Sequence, residues 1–234
     1  MSATESLAGQ LTSESVKEQL SAISALLGQG DSGALALVNF LRSHAPQSLD
    51  HPLAVALGAT YQALLKHDSA VVQSFLSTEL SQGPFLLRPN GPVDYRELQQ
   101  RLAYGDYETA DRLTLQKLCE LAGPDALARK WLYFTEVDRI PAADLRTIDR
   151  LWRVYSQDRF GFSRQREIWL GSNQSWDRLW DKLGWKTGNV WTRYPGEFVW
   201  SVAAPVGHLP LSNQLRGVRT IASLFAHPAW LDPC

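Results

Sequence analysis

The reading turns on residues 141–165: Pro141-Ala142-Ala143-Asp144-Leu145-Arg146-Thr147-Ile148-Asp149-Arg150-Leu151-Trp152-Arg153-Val154-Tyr155-Ser156-Gln157-Asp158-Arg159-Phe160-Gly161-Phe162-Ser163-Arg164-Gln165. Leu145, Ile148, Leu151, Trp152 and Tyr155 recur at three- and four-residue spacing, the period of an amphipathic helix, with Asp144 as the expected cap. One face is apolar and the other carries Arg146 and Arg150. Phe160-Gly161-Phe162-Ser163 sets two rings around a glycine where the helix should stop, which predicts a sharp turn with packed rings. From residue chemistry alone this is a core helix followed by a packed turn.

Outward from that stretch the pattern stays helical, which predicts an all-α chain. Towards the N-terminus, Val16, Leu20, Ile23 and Leu27 follow a helical stripe behind Ser13, and Gly28, Gly30 and Gly33 break it. Further helices are expected over 34–43, 53–66 and 69–80, giving a small bundle or repeat-like domain over 1–83. His44, His51 and His67 fall near helix ends, where solvated or capping roles are ordinary. Pro84, Pro89, Gly91 and Pro92 punctuate 84–93 too densely for regular structure, so a linker is expected there. The core domain, 94–234, should carry helices over 95–102, 107–122, 125–134, 144–155, 175–183 and 214–225. Between the last two, 188–212 is turn-rich and aperiodic and predicts a long functional loop.

With 234 residues the chain can bury a real core. Only Cys119 and Cys234 occur, so neither a disulfide framework nor a thiolate zinc site is available. No apolar run approaches a membrane span and no signal-peptide pattern opens the sequence, so a soluble, unprocessed cytoplasmic protein is expected. Net charge is −1, yet residues 139–219 hold 13 Lys and Arg against 7 Asp and Glu, with seven of the nine tryptophans. A positive surface rich in flat rings suits an anionic partner.

No residue pattern supports catalysis. His208 and Ser212 lack a nucleophile elbow, Asp144 and Asp149 sit five apart and diverge on a helix, and Asp106, Glu108 and Asp111 cluster at a helix start. No phosphate-binding loop, dinucleotide fingerprint or metal-ligand spacing appears. What remains is a set of rings, Phe134, Phe160, Phe162, Trp185, Trp191 and Trp200, near Arg139, Arg146, Arg193, Arg216 and Arg219. Rings stack on flat ligands and guanidinium forks hold carboxylates or phosphates. Two ligand classes fit: a planar carboxylate-bearing macrocycle, or single-stranded nucleic acid bound by a general interaction module. Near-neutral charge and interleaved aliphatic residues weigh against nucleic acid.

Several motifs in order resemble the genomes-uncoupled-four family, porphyrin-binding accessory proteins of magnesium chelatase. They are Asp106-Tyr107-Glu108-Thr109-Ala110-Asp111 with Thr114; Ile140-Pro141 with Asp144-Leu145; Thr147-Ile148-Asp149 with Leu151-Trp152; Ser156 with Arg159-Phe160-Gly161-Phe162-Ser163 and Gln165; Val190-Trp191-Thr192-Arg193; and Gly207-His208-Leu209-Pro210. The N-terminal helical region and Asn213-Gln214-Leu215-Arg216-Gly217-Val218-Arg219 resemble the family's cyanobacterial members.

The resemblance implies a helical domain shaped like a cupped hand that binds protoporphyrin IX and magnesium protoporphyrin IX. It implies no catalysis by the chain itself, but stimulation of magnesium chelatase through its large porphyrin-binding subunit in chlorophyll biosynthesis. By position, Phe134, Trp191, Arg193, Asn213 and Arg216 match the family's pocket; Arg219 is counted with them as a porphyrin-binding residue, and Val137, Ile140 and Leu209 are added as walls from their chemistry. Leu115 stands where some relatives carry arginine, with Arg112 one turn earlier as its replacement. No metal is expected to be held by the protein alone, although Asn213 or a water suits the axial position of a hard magnesium ion. Burying on the order of 300 Å² of macrocycle contributes about 7 kcal/mol against an association cost of roughly 4 to 15 kcal/mol. Moderate, reversible affinity follows, and a peripheral membrane association stays open at this stage.

Overall fold

The computed structural model describes residues 3–87, 93–212 and 217–231. Among these residues the chain is built of helices, with one two-residue antiparallel ladder and a long irregular stretch after it, and the chain divides into two compact units. No helix among the described residues is long and apolar enough to cross a membrane.

The first unit comprises Met1–Leu87 with Ala103–Gly105. Its helices are α1 (Ala3–Gln10), α2 (Val16–Leu27), α3 (Asp31–His44), α4 (Ala54–Leu65) and α5 (Ala70–Glu79). Leu11, Ala22, Leu26, Leu37, Leu41 and Leu57 are fully enclosed, the outcome of apolar stripes turned inward. Gly33 lets α3 pass over α2: a Cβ there would lie 1.7 Å from the Leu26 carbonyl oxygen. Two details differ from the sequence expectation. The cap of α2 is Ser15 rather than Ser13, its hydroxyl accepting from the Glu18 N–H, and α1 was not foreseen because its polar sequence has no stripe and no buried residue.

The second unit comprises Arg88–Leu102 and Asp106–Cys234. It contains most of α6 (Arg96–Tyr104), then α7 (Tyr107–Ala122), α8 (Pro124–Arg129), α9 (Ala142–Tyr155), α10 (Phe162–Leu170), α11 (Trp176–Leu183), strands β1 (Lys186–Thr187) and β2 (Val190–Trp191), and α12 (Arg219–Ala226). Asp106 caps α7 by accepting from the Thr109 N–H at 3.2 Å. The α7 and α9 helices meet at Trp152, which is fully buried, stacks on Tyr107 at 5.9 Å and donates from Nε1 to Thr114 Oγ1 at 2.9 Å. Enclosing such a side chain contributes about 1.5–3 kcal/mol, and its one polar atom is satisfied, so no desolvation penalty offsets it.

The deciding stretch is a core helix, with two corrections. Asp144 is not its cap: it lies inside α9, 1% exposed, accepting from the Tyr95 hydroxyl at 2.7 Å. The Gly161 turn has the expected packed rings, Phe160 and Phe162 both fully buried, but it leads straight into α10, a helix that was not expected. Gly161 has φ 134°, and the Ser163 N–H and hydroxyl donate to Asp149 at 2.8 and 2.6 Å, so the cap of α10 comes from α9. A cap fourteen residues upstream leaves no local signature.

Three other expectations shift. The helix expected over 125–134 ends at Arg129, with Lys130 left-handed at φ 61° and a 3-10 turn over Phe134–Arg139. Arg129 causes the stop, stacking over the Trp131 and Tyr133 rings at 4.9 and 4.1 Å while donating to Glu136 at 2.6 Å. Residues 188–212 are a loop only in part, because Lys186 pairs with Trp191 and Thr187 with Val190 around a Gly188-Asn189 turn. Finally α12 starts at Arg219 and not at 214, and residues 213–216 lie outside the described part.

Candidate functional site

Four of the indoles build a second core. Trp169, Trp176, Trp180 and Trp185 stack in succession at 5.0, 5.6 and 5.5 Å, and Phe225 of α12 closes on Trp169 and Trp176. Trp185 is fully buried and donates from Nε1 to the His208 carbonyl at 2.8 Å. His208 is buried as well. Its Nδ1 lies 2.6 Å from the Leu183 carbonyl, so it donates there, and Nε2 accepts from the Val199 N–H at 3.2 Å. That arrangement needs a neutral ring, and burial holds the imidazole below its ordinary pKa. Phe160, proposed from sequence as a stacking ring, is fully enclosed against Tyr107 and Trp152. Phe160 and Trp185 therefore cannot stack on nucleic acid, which removes two rings from that alternative.

The opposite side of α12 borders an apolar pocket. Leu115 and Leu118 of α7, Leu132, Phe162, Leu211, Ser212, and Thr220 and Leu224 of α12 line a cavity of about 20 Å³. That is room for about one water. The start of the Phe134–Arg139 turn follows Leu132 closely, and here two of the expected residues meet: the Arg219 guanidinium sits over the Phe134 ring at 5.3 Å, with Phe134 37% exposed. Thr220 reaches the Leu132 carbonyl at 3.5 Å, tying α12 to the same segment.

The other expected residues are distributed as follows. Val137 and Ile140 are buried within and after the turn, and the Ile140 carbonyl accepts from His227 Nε2 at 2.9 Å. Leu209 is fully enclosed and its carbonyl accepts from the Gly161 N–H at 3.0 Å. Gln165 donates to the Gly207 and Pro210 carbonyls at 2.9 and 2.8 Å, fixing the residues on either side. Trp191 is half-buried on β2, tilted on Trp180 at 5.8 Å, with the Lys186 ammonium 5.6 Å from its ring. The exposed Arg193 follows it, its backbone N–H held by Glu197 at 2.9 Å. Asn213 and Arg216 lie outside the described residues, between Ser212 of the pocket wall and Arg219 of α12.

Sequence reasoning missed Leu132, Ser212, Thr220 and Leu224. Thr220 and Leu224 are four apart, a signal for one helix face, whereas nothing local distinguishes Leu132 or Ser212. Arg112, the expected replacement at position 115, is engaged by Glu108 at 2.8 Å and Thr109 at 3.0 Å. Among the described residues no cluster of His, Cys, Asp and Glu could hold a metal ion.

A repeat-like helical unit followed by a helical domain with an apolar pocket defines the class of protein. Residues 89–228 match the GUN4-like family and residues 2–80 match the ARM-like repeat domain of the GUN4 N-terminus. The chain belongs to the GUN4-like family. It is 48% identical over 224 residues to the Ycf53-like protein of Synechocystis, covering 96% of this chain and 95% of that protein. It is also similar to the chloroplastic tetrapyrrole-binding protein of Arabidopsis thaliana, with 37% identity over 57% of this chain and 54% of that protein. Among solved structures, GUN4 from Chlamydomonas reinhardtii aligns with a TM-score of 0.59 at 37% identity, covering 63% of this chain and 94% of that one. Ligand-free GUN4 of Arabidopsis thaliana aligns at 0.55 and 35% identity, covering 59% and 98%.

Proposed function

We propose that this chain binds protoporphyrin IX and magnesium protoporphyrin IX at the pocket bordered by Phe134 and Arg219, and delivers or withdraws them as a non-catalytic activator of magnesium chelatase. The observation that carries the reading is the Phe134–Arg219 contact, made by residues two and one positions along the chain from Leu132 and Thr220 of the apolar cavity, in a chain whose Arabidopsis relative is a tetrapyrrole-binding protein. A ring and a guanidinium side by side suit a flat apolar disc edged with carboxylates.

The cavity is too small to enclose a macrocycle, so the disc would lie over the mouth, with the 209–212 segment and the Phe134 turn parting around it. Trp191 and Arg193 would then meet it from the hairpin, and Asn213, Arg216 and Arg219 from the segment entering α12. Val137, Ile140 and Leu209 would act from behind, as a rigid backing. Asn213 would offer oxygen to a magnesium centre, the donor a hard ion prefers. The partner in this reading is the large porphyrin-binding subunit of the chelatase, met in the cytoplasm, and residues 94–234 form the binding domain.

Titrating the full chain with protoporphyrin IX while following tryptophan fluorescence tests the binding. Saturable quenching with a shifted Soret band is expected; no response, with salt-sensitive oligonucleotide binding instead, would overturn it. Adding the chain to a chelatase assay tests the activator role, and an unchanged rate of magnesium insertion at limiting porphyrin counts against it.

A further inference from the structure

One wall of the pocket is hydrogen-bonded to a buried acid. Asp111 lies on α7, one turn before Leu115, and is 7% exposed. Its Oδ1 accepts the N–H of Leu211, one hundred residues away, at 2.7 Å. Leu211 and Ser212 form a lip of the cavity, and Ser212 Oγ, in a residue 8% exposed, has no hydrogen-bond partner. The charged and titratable groups facing Asp111 are Glu108 and Arg112 of α7 and Tyr194 from the loop after β2. Arg112 makes its own contacts with Glu108 and Thr109. Asp111 thus meets the lip through a backbone N–H and has no ion pair among the described residues.

A cavity of about 20 Å³ admits nothing larger than about one water. A larger guest needs a wall of the cavity to move, and movement of the Leu211–Ser212 wall breaks the Asp111–Leu211 bond and hydrates the acid.

We propose that Asp111 is the positioning residue of this lip: the pocket opens by parting Leu211 from the Asp111 side chain, and the ionised carboxylate, which regains water when they part, biases the lip towards opening. The idea rests on the pocket described under Proposed function as the ligand site, but its central test does not need the ligand.

The direction with pH follows from linkage. Closed, burial raises the Asp111 pKa to about 7 despite the Leu211 bond; open, it returns towards its ordinary value of about 3.9. Below about pH 4 the group is protonated in both states and the lip is held. Between about 4 and 7 opening releases a proton, so opening grows by up to about tenfold per pH unit and then levels off above 7.

The test is hydrogen exchange at the Leu211 amide in the full chain without ligand, followed by NMR and corrected for intrinsic exchange. Its protection is expected to fall on the order of tenfold between pH 5.5 and 7 and to flatten above. Asp111→Asn should remove this slope, and its protoporphyrin IX association rate should lose the rise with pH that wild type displays. Flat protection in wild type over pH 5.5–7 overturns the latch, whether or not the variant folds. A titrating Leu211 amide in a protein that ignores protoporphyrin IX keeps the latch and overturns the ligand reading alone.

Discussion

The Arg219 guanidinium lies over the Phe134 ring at 5.3 Å, joining the first turn of α12 to the turn that follows α8. Under the proposed function both side chains face one ligand. Arg219→Ala removes a cation–π contact of about 0.5–1 kcal/mol together with a propionate partner worth about 0.2–1 kcal/mol. Protoporphyrin IX affinity should fall about three- to thirtyfold, with Arg219→Lys intermediate. Phe134→Ala should weaken binding comparably, and an unchanged fluorescence titration in both variants would place the ligand elsewhere.

Trp152 couples α7 to α9 through its hydrogen bond to Thr114 and its stack on Tyr107. Trp152→Phe leaves a void where the larger ring stood and strips Thr114 of a donor. The second unit should lose about 2–4 kcal/mol, read as an earlier urea midpoint in near-ultraviolet circular dichroism. A change under 1 kcal/mol would mean that α7 and α9 repack freely.

Gly161 turns the chain with φ 134°, and a Cβ there would stand 2.7 Å from Asp149 Oδ1, the atom that caps α10. Gly161→Ala adds backbone strain and displaces the cap, a combined cost of about 2–4 kcal/mol. Amide exchange of Ser163 should rise selectively. Equal exchange in variant and wild type would show that the cap survives.

His208 links the C-terminus of α11 to the 195–206 loop only while neutral. Its folded pKa is lowered by burial, so its stabilisation is present above the unfolded value of about 6.5 and declines as pH falls below it. His208→Asn keeps a donor for Leu183 but loses the acceptor for Val199. The variant should be about 1–2 kcal/mol less stable at pH 7.5, with the gap to wild type narrowing by pH 5. A gap independent of pH would assign the cost to packing alone.

Much of the helical framework was legible from local chemistry. The stripes that became α2 and α9, the Gly123-Pro124 stop and start, the Asp106 cap and the Ser175 cap all act within one or two turns, so the sequence carries them in full. The elements that were not legible depend on distant partners. Arg129 ends α8 by stacking on Trp131 and Tyr133, and Asp149 of α9 starts α10. The candidate site divided in the same way: Phe134 and Arg219 were named from sequence and do meet, while Thr220 and Leu224 offered only a shared helix face and Leu132 and Ser212 no distinguishing pattern.

By itself the sequence determined an all-α chain, because apolar residues at helical period can bury one face only as helices packed together. It also determined which rings and guanidinium groups were available. Tertiary structure alone decided their use. It committed four indoles to a stacked core with Phe225, where ring faces gain more against each other than against water, and left Phe134 and Arg219 in contact with each other. It also set Asp111 against the Leu211 amide, a bond across one hundred residues that exists only once α7 and the 209–212 segment have been brought together and water has been driven from between them.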